Sequence, residues 1–271
     1  MSNPLADMEK PDVFFCIGTN MTECHPVAAT RIKKAIARGA KMIVADPRKI
    51  PLAGMAHLYL PIRVGSDVAL LLAMAHVIQR EGLIDPDFID ARTTGSEAFL
   101  EHVKQFTPEW ASEITDVPAG DIEKAALWYG SAEKGAIYYT LGITEHICGV
   151  DNVQSLGNLA LMTGNLGKEG TGINPMRGQN NVQGASDAGL IPMFYPDYKP
   201  VGADDQISRW EEFWGMELDH EKGLTVVEIT NAIYDGEIKG CYIMGENPAM
   251  SDPDQNHART ALSRLEHLVV Q

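Results

Sequence analysis

The chain's pattern begins with DVFFCIG (12–18), a short apolar run ending in glycine, with the length and residue types of a buried strand. HPVAATRIKKAIARG (25–39) follows. Val27, Ala28, Ile32, Ala35 and Ile36 recur there at helical spacing, Pro26 suits a first turn, and Gly39 a stop. AKMIVADP (40–47) is a second apolar run. Strand, helix and strand in such close succession make a βαβ unit, and its crossover predicts a parallel pair.

The rhythm continues. AHLYLPI (56–62) reads as a third strand, and SDVALLLAMAHVIQREG (66–82) as an amphipathic helix with Ser66 or Asp67 as its N-cap. Short helices are expected over 86–92, 96–106 and 118–132, a buried strand over 135–142, and a helix over 150–167 that stops at Gly164 or Gly167. NPMRGQNNVQGASDAG (174–189) is too polar for a core strand and too rich in glycine for a helix, so it reads as a loop. Residues 190–206 look irregular. A second α/β rhythm follows, with helices over 208–214, 225–235 and 255–265 and strands over 240–245 and 267–271. The fold class is α/β, a Rossmann-like parallel-sheet domain followed by part of a second α/β domain. The chain ends inside an apolar run, so it is expected to be a piece of a longer polypeptide whose other segments pair with 180–271.

Composition narrows the function classes. A hydrophobic content of 45% against 22% charged residues is that of a globular chain with a sizeable core. The net charge of −15 and the lack of any Lys/Arg run exclude the footprint of a nucleic-acid binder. Cys16, Cys24, Cys148 and Cys241 form no C-x-x-C pair, so no zinc knuckle or iron–sulfur loop is encoded. Scattered single cysteines suit a reducing compartment, which points to the cytoplasm. No apolar run is long enough to span a bilayer, and MSNPLADMEKPD lacks the pattern of a signal peptide.

Candidate chemistry gathers where strands end. In open parallel sheets, ligands bind beyond the carboxyl ends of the strands. At 18–26, GTNMTECHP, Gly18 lets a ligand approach the backbone, while Asn20 and Glu23 offer hydrogen bonds; an ordinary βα turn is the alternative. The dinucleotide fingerprint G-x-G-x-x-G is absent. At 45–49, ADPRK, Asp46 suits ribose hydroxyls and Arg48 a purine or phosphate, against the alternative of a surface Asp-Pro turn. At 63–67, RVGSD supplies Asp67 to a base edge or simply caps a helix. At 140–146, TLGITEH offers Thr144, Glu145 and His146, or a solvent loop. GNLGKEGTG (164–172) has the wrong glycine spacing for a P-loop and no Ser/Thr after Lys168, so helix termination accounts for it. In the polar stretch, the amides around Arg177 suit a heterocycle rich in donors and acceptors, such as a pterin or guanine, and the guanidinium suits a carboxylate.

At this stretch the chain resembles a known family. LMTGNLGKEGTGINPMRGQNNVQGASDAG is similar to the molybdopterin oxidoreductase superfamily, specifically to catalytic subunits of molybdenum- or tungsten-dependent formate dehydrogenases. GTNMTECHP, VADPRK, GSD and MGENP (244–248) fall in the order that family shows, so the resemblance covers essentially the whole chain. It implies two molybdopterin guanine dinucleotides around one metal, held by two Rossmann-like domains, here residues 1–179 and the beginning of a second over 180–271. It assigns Gly18, Asn20, Glu23, Asp46, Arg48, Gly65 and Asp67 to one guanine dinucleotide, Leu141, Glu145 and Gln179 to pterin, and Gly245, Glu246 and Asn247 to the second cofactor. Glu145 stands where many members carry Gln. Arg177 maps to the arginine that orients formate for oxidation to carbon dioxide. The family's [4Fe–4S] loop and its Cys or selenocysteine metal ligand followed by histidine match nothing in this chain, which is therefore expected to be inactive alone and to work with electron-transfer subunits or domains. Its start at MSNP fits either a restart after a UGA selenocysteine codon or a deliberate cut. The alternatives are another molybdopterin enzyme, such as a nitrate reductase, or a non-redox nucleotide-binding module.

Overall fold

Five short strands, β1 (Val13–Ile17), β2 (Lys41–Ala45), β3 (Leu58–Leu60), β4 (Gly135–Tyr139) and β5 (Gly172–Pro175), form one parallel sheet in the order β3-β2-β1-β4-β5. The computed structural model describes all 271 residues, which divide into two compact units, Met1–Gly178 and Gln179–Gln271. This sheet is the centre of the first unit. Every residue of β1 and β4 is buried, which explains their continuous apolar runs: parallel strands covered on both faces show no alternation of polarity. The alternation survives in destination. Val13, Phe15 and Ile17 enter one core with Ile43, Ala45, Ile137 and Tyr139, whereas Phe14 and Cys16 enter the other with Met42, Val44, Ala136 and Tyr138.

Helices fill both faces. On the first lie α3 (Asp67–Arg80), α4 (Pro86–Arg92), α5 (Ser96–Val103), α6 (Pro108–Thr115), α7 (Ala119–Gly130) and α9 (Gly149–Met162), with Leu70, Met74, Ile122 and Leu156 packed against the strands. On the second lies α2 (Pro26–Ala37), contributing Ala29, Ile32 and Ala35. Two single-turn helices, α1 (Met21–Cys24) and α8 (Leu141–Thr144), follow β1 and β4. Burying one side chain of the size of Phe14 or Phe15 contributes roughly 1.5–3 kcal/mol, so the two cores carry the first unit.

The second unit holds α10 (Val182–Asp187), a hairpin of β6 (Phe194–Tyr195) and β7 (Lys199–Pro200), α11 (Asp204–Trp214), α12 (Val226–Tyr234), β8 (Gly240–Ile243), α13 (Pro248–Ser251), α14 (Gln255–Ser263) and β9 (His267–Val270). β8 and β9 pair in parallel.

Three readings of the pattern are corrected. The polar stretch is not loop throughout. Asn174 and Pro175 end β5, an edge strand that pairs only with β4, and residues 182–187 are helical. An edge strand needs one partner and little apolar surface, so polarity does not exclude it. Neither Ser66 nor Asp67 caps α3 with its side chain: the Ser66 hydroxyl donates to the Arg63 carbonyl at 2.6 Å, and Asp67 is the first helical residue. Helix α6, which periodicity passes over, is set by Thr107, whose hydroxyl accepts from the Trp110 amide at 3.3 Å, and by Pro108 in the first turn.

Candidate functional site

The strand order reverses direction at β1 and β4, the place where open parallel sheets leave a crevice. The chain builds that crevice from two glycines. Gly18 follows β1 at φ +55°, and its amide extends the ladder to the Ala45 carbonyl at 3.0 Å. Gly142 in α8 lies against it so closely that a Cβ on Gly18 would sit 2.7 Å from the Gly142 carbonyl carbon. The Thr140 hydroxyl donates to the Gly18 carbonyl at 2.7 Å and locks the two strand-end turns together.

Above this floor opens a cleft of about 430 Å³. Gly18, Asn20, Asp46, Arg48, Asp67 and Leu141 all line it, although they come from four separate strand-end turns. Asp46 is buried; its Oδ1 accepts the Arg48 amide at 2.8 Å, and its carbonyl accepts the Tyr59 hydroxyl at 2.9 Å. Burial pushes the Asp46 carboxyl above its ordinary range, against the opposing Arg48 amide and charge. Asp67 is only 5% exposed. Burial raises it too, a charge on His146 lowers it, and neighbouring Asp46 raises it further. His146 Nε2 lies 3.8 Å from Asp67 Oδ2 and 3.0 Å from the Gly142 carbonyl, to which it donates.

The cleft also holds residues that the pattern did not single out: Thr19, Cys24, His25, Arg63, Thr140, Gly142 and Met176. Thr19 is 2% exposed, and its hydroxyl has no hydrogen-bond partner. Beside the cleft, such an atom is open to pairing with a water or with a ligand's polar group. Arg63 forms a two-pronged pair with Asp116, through Nε at 2.9 Å and Nη2 at 2.6 Å. That leaves Arg48 as the lining guanidinium without an ion-pair partner.

Other expected positions fall elsewhere. Glu23 and Glu145 are exposed and do not line the cleft; Gly65, at φ +83°, turns the chain into Asp67 without lining it. Thr144 is likewise outside it. Arg177 is exposed, but Met176 and Gly178 on either side of it both line the cleft. Its guanidinium offsets part of the upward push that burial gives the Tyr139 phenol at the end of β4. Gln179, Gly245, Glu246 and Asn247 belong to the second unit. There β8 ends in a turn built like the one after β1. Gly245 has φ +66°, and Asn247 at φ −131°, ψ 76° precedes the single-turn α13, just as Gly18 and Asn20 (φ −109°, ψ 68°) precede α1. Glu246 accepts from the Ser251 hydroxyl at 2.8 Å and from the Asn247 amide at 3.1 Å, which holds its carboxyl below its ordinary value.

The geometry therefore offers a crevice with hydrogen-bond acceptors, one free guanidinium and a backbone floor that admits close approach, which suits an anionic dinucleotide with a donor-rich base. No helix is long and apolar enough to cross a membrane.

Known proteins resemble the chain over its whole length. The chain is 47% identical over 271 residues to the F420-dependent formate dehydrogenase subunit alpha of Methanocaldococcus jannaschii, covering 100% of this chain and 40% of that protein. It is 41% identical over 272 residues to formate dehydrogenase H of Escherichia coli, covering 38% of it. The chain thus spans about two fifths of the length of these relatives. Among solved structures, acetylene hydratase from Pelobacter acetylenicus shares the fold, with a TM-score of 0.73 and 21% identity over 98% of this chain and 41% of that one. The family described as molybdopterin oxidoreductase matches residues 1–271 from end to end, and the chain belongs to it.

Proposed function

We propose that this chain is the cofactor-binding part of a formate dehydrogenase catalytic subunit. It would hold molybdopterin in its guanine dinucleotide form, around molybdenum or tungsten, and present Arg177 to formate. The observation that carries this reading is the convergence of Gly18, Asn20, Asp46, Arg48, Asp67 and Leu141 on one cleft at the switch point of the sheet. The names of the relatives, formate dehydrogenase subunit alpha and formate dehydrogenase H, support the substrate.

Each residue has a task its chemistry suits. Gly18 admits the diphosphate close to the backbone, and Thr19 supplies a hydroxyl otherwise unpaired. Arg48 neutralises phosphate charge. Asp46 accepts from ribose hydroxyls and Asp67 from adjacent N–H groups of the base. Donors arriving at these two carboxylates favour their ionised forms and so offset the desolvation that raises them. Glu23, Gly65 and Glu145 stand within one or two residues of lining residues, close enough to contribute once a ligand is seated. Leu141 and Gln179 would face the pterin, and the second turn, Gly245–Asn247, would hold the second cofactor. Bound there, the pterin-held metal supplies the two-electron oxidation of formate to carbon dioxide. Arg177 grips the carboxylate of formate through paired hydrogen bonds and fixes its orientation. The two electrons and the proton given up by formate would be taken up in the rest of the polypeptide or by other subunits. All four cysteines are free thiols, which suits work in the cytoplasm.

The test is Arg177→Ala in the full-length parent enzyme. Formate turnover should fall by about 10²–10³-fold, the usual cost of losing a charge-stabilising donor, while metal and pterin content stay near wild type. Retained turnover would refute the assignment of Arg177, and lost cofactor would make it a binding residue instead.

A further inference from the structure

We infer that His25 is a positioning residue, tethering the main chain at Arg177 so that its guanidinium projects from a fixed point. The functional weight of this tether rests on the reading of Arg177 given above; its geometry does not.

His25 Nε2 lies 2.5 Å from the Arg177 carbonyl oxygen, 152 residues along the chain. A carbonyl only accepts, so Nε2 carries the proton and donates, and Nδ1 is left with a lone pair. That Nδ1 is buried and unpartnered, so the ring is held by its far nitrogen alone. The post itself is well fixed. The His25 amide donates to the Met21 carbonyl at 2.9 Å, its carbonyl accepts the Ala29 amide at 2.9 Å, and Pro26 restricts the bond that follows.

The Arg177 side of the contact has little else. The Met176 amide donates to the Tyr139 carbonyl at 2.8 Å, the last ladder-like bond of this segment. Beyond it the Arg177 peptide makes no other hydrogen bond, and its side chain makes no ion pair. A long side chain on an untethered peptide spreads its guanidinium over several ångströms, and displacement on the scale of 1 Å is enough to lose an oriented contact. The imidazole removes that freedom. It also joins the turn after β1, which lines the cofactor cleft, to the residue placed next to the substrate.

The experiment compares His25→Gln with His25→Asn in the full-length, cofactor-loaded parent. Both put an amide in place of the ring. Only glutamine sets its amide nitrogen near the position of Nε2; asparagine stops near Nδ1. Two quantities are read: hydrogen–deuterium exchange without substrate, and formate kinetics. His25→Asn should speed exchange at the Met176 amide about fivefold, the factor of one ordinary hydrogen bond, and raise the KM for formate by about the same factor. His25→Gln should restore both, and exchange over 135–139 should be unchanged in either variant. Unchanged exchange at Met176 in His25→Asn, failure of His25→Gln to restore it, or loosening that spreads to 135–139 would each overturn the tether. If exchange at Met176 rises while His25→Asn and Arg177→Ala both turn over formate normally, the tether stands and the formate reading of Arg177 fails.

Discussion

Asp67 is a residue whose burial costs the folded protein stability and whose carboxylate, on the proposed reading, serves a bound cofactor. It is the first residue of α3, where a carboxylate suits the helix N-terminus, yet it is almost wholly buried and burial raises its pKa. Between the ordinary carboxylate value and this raised one, the folded state binds more protons than the unfolded state. Stability therefore falls as pH rises through that window, and the full penalty is present above the folded pKa. Asp67→Asn should raise the thermal midpoint of the unliganded chain at neutral pH, with the gain shrinking toward pH 4, as read by unfolding scans across a pH series. The same variant in the parent should retain less pterin, because an amide cannot accept from two adjacent N–H groups. A gain that grows toward acid would show that the folded Asp67 carboxyl lies below its ordinary value, so that burial does not govern it. The sequence placed Asp67 at a strand-end turn, but nothing in GSD tells a buried carboxylate from an exposed cap. That distinction belongs to the packing of α3 against α6, α7 and α9.

Elements were legible where their reason was local. β1, β2 and β4 are short, β-branched or aromatic runs, and α2 and α3 carry a periodic apolar stripe, so pattern alone finds them. β5 and α10 are not legible, because one forms by pairing with the β4 edge and the other starts from Asn181 in a left-handed conformation. α6 was legible in principle, since Thr107-Pro108-Glu109 is a helix start, but its apolar spacing is weak. What the element pattern cannot disclose is how α8 is held as half of the cleft floor. Asn152, fully buried in α9, donates from Nδ2 to the Ile143 carbonyl at 2.9 Å and pins that turn. Asn165 plays a matching part at the opposite end of β4, accepting the Gly135 amide at 3.0 Å. Asn152→Ala and Asn165→Ala should each lose about 1–3 kcal/mol in denaturant unfolding, since each strands a buried backbone group. Only Asn152→Ala should also weaken cofactor retention in the parent. Equal retention in the two variants would mean the floor is not pinned from α9.

Across the whole molecule, the two units bury their sheets very differently. β1 and β4 are covered on both faces. Every residue of β9 is exposed, including Leu268, Val269 and Val270, and Tyr242 of β8 is exposed as well. Successive residues of a strand point to opposite faces, so exposure along all of β9 means that neither face is closed. A parallel pair of only two strands is marginal by itself, and of α12, α13 and α14 only the first and last supply a small core of buried side chains, Ala232, Ile233, Ala258 and Ala261. The turn expected to hold the second cofactor hangs from this pair, with the Gly245 amide donating to the Gln271 carbonyl at 2.8 Å. Local opening should therefore dominate there, while the first sheet exchanges only when its unit unfolds. Hydrogen–deuterium exchange on the 271-residue chain should find the amides of β8 and β9 exchanging at least about a hundredfold faster than those of β1 and β4, a gap of roughly 3 kcal/mol in opening free energy. Comparable protection would show the pair to be stable on its small core alone, and the Gly245–Asn247 turn to be preformed rather than ordered by what it binds.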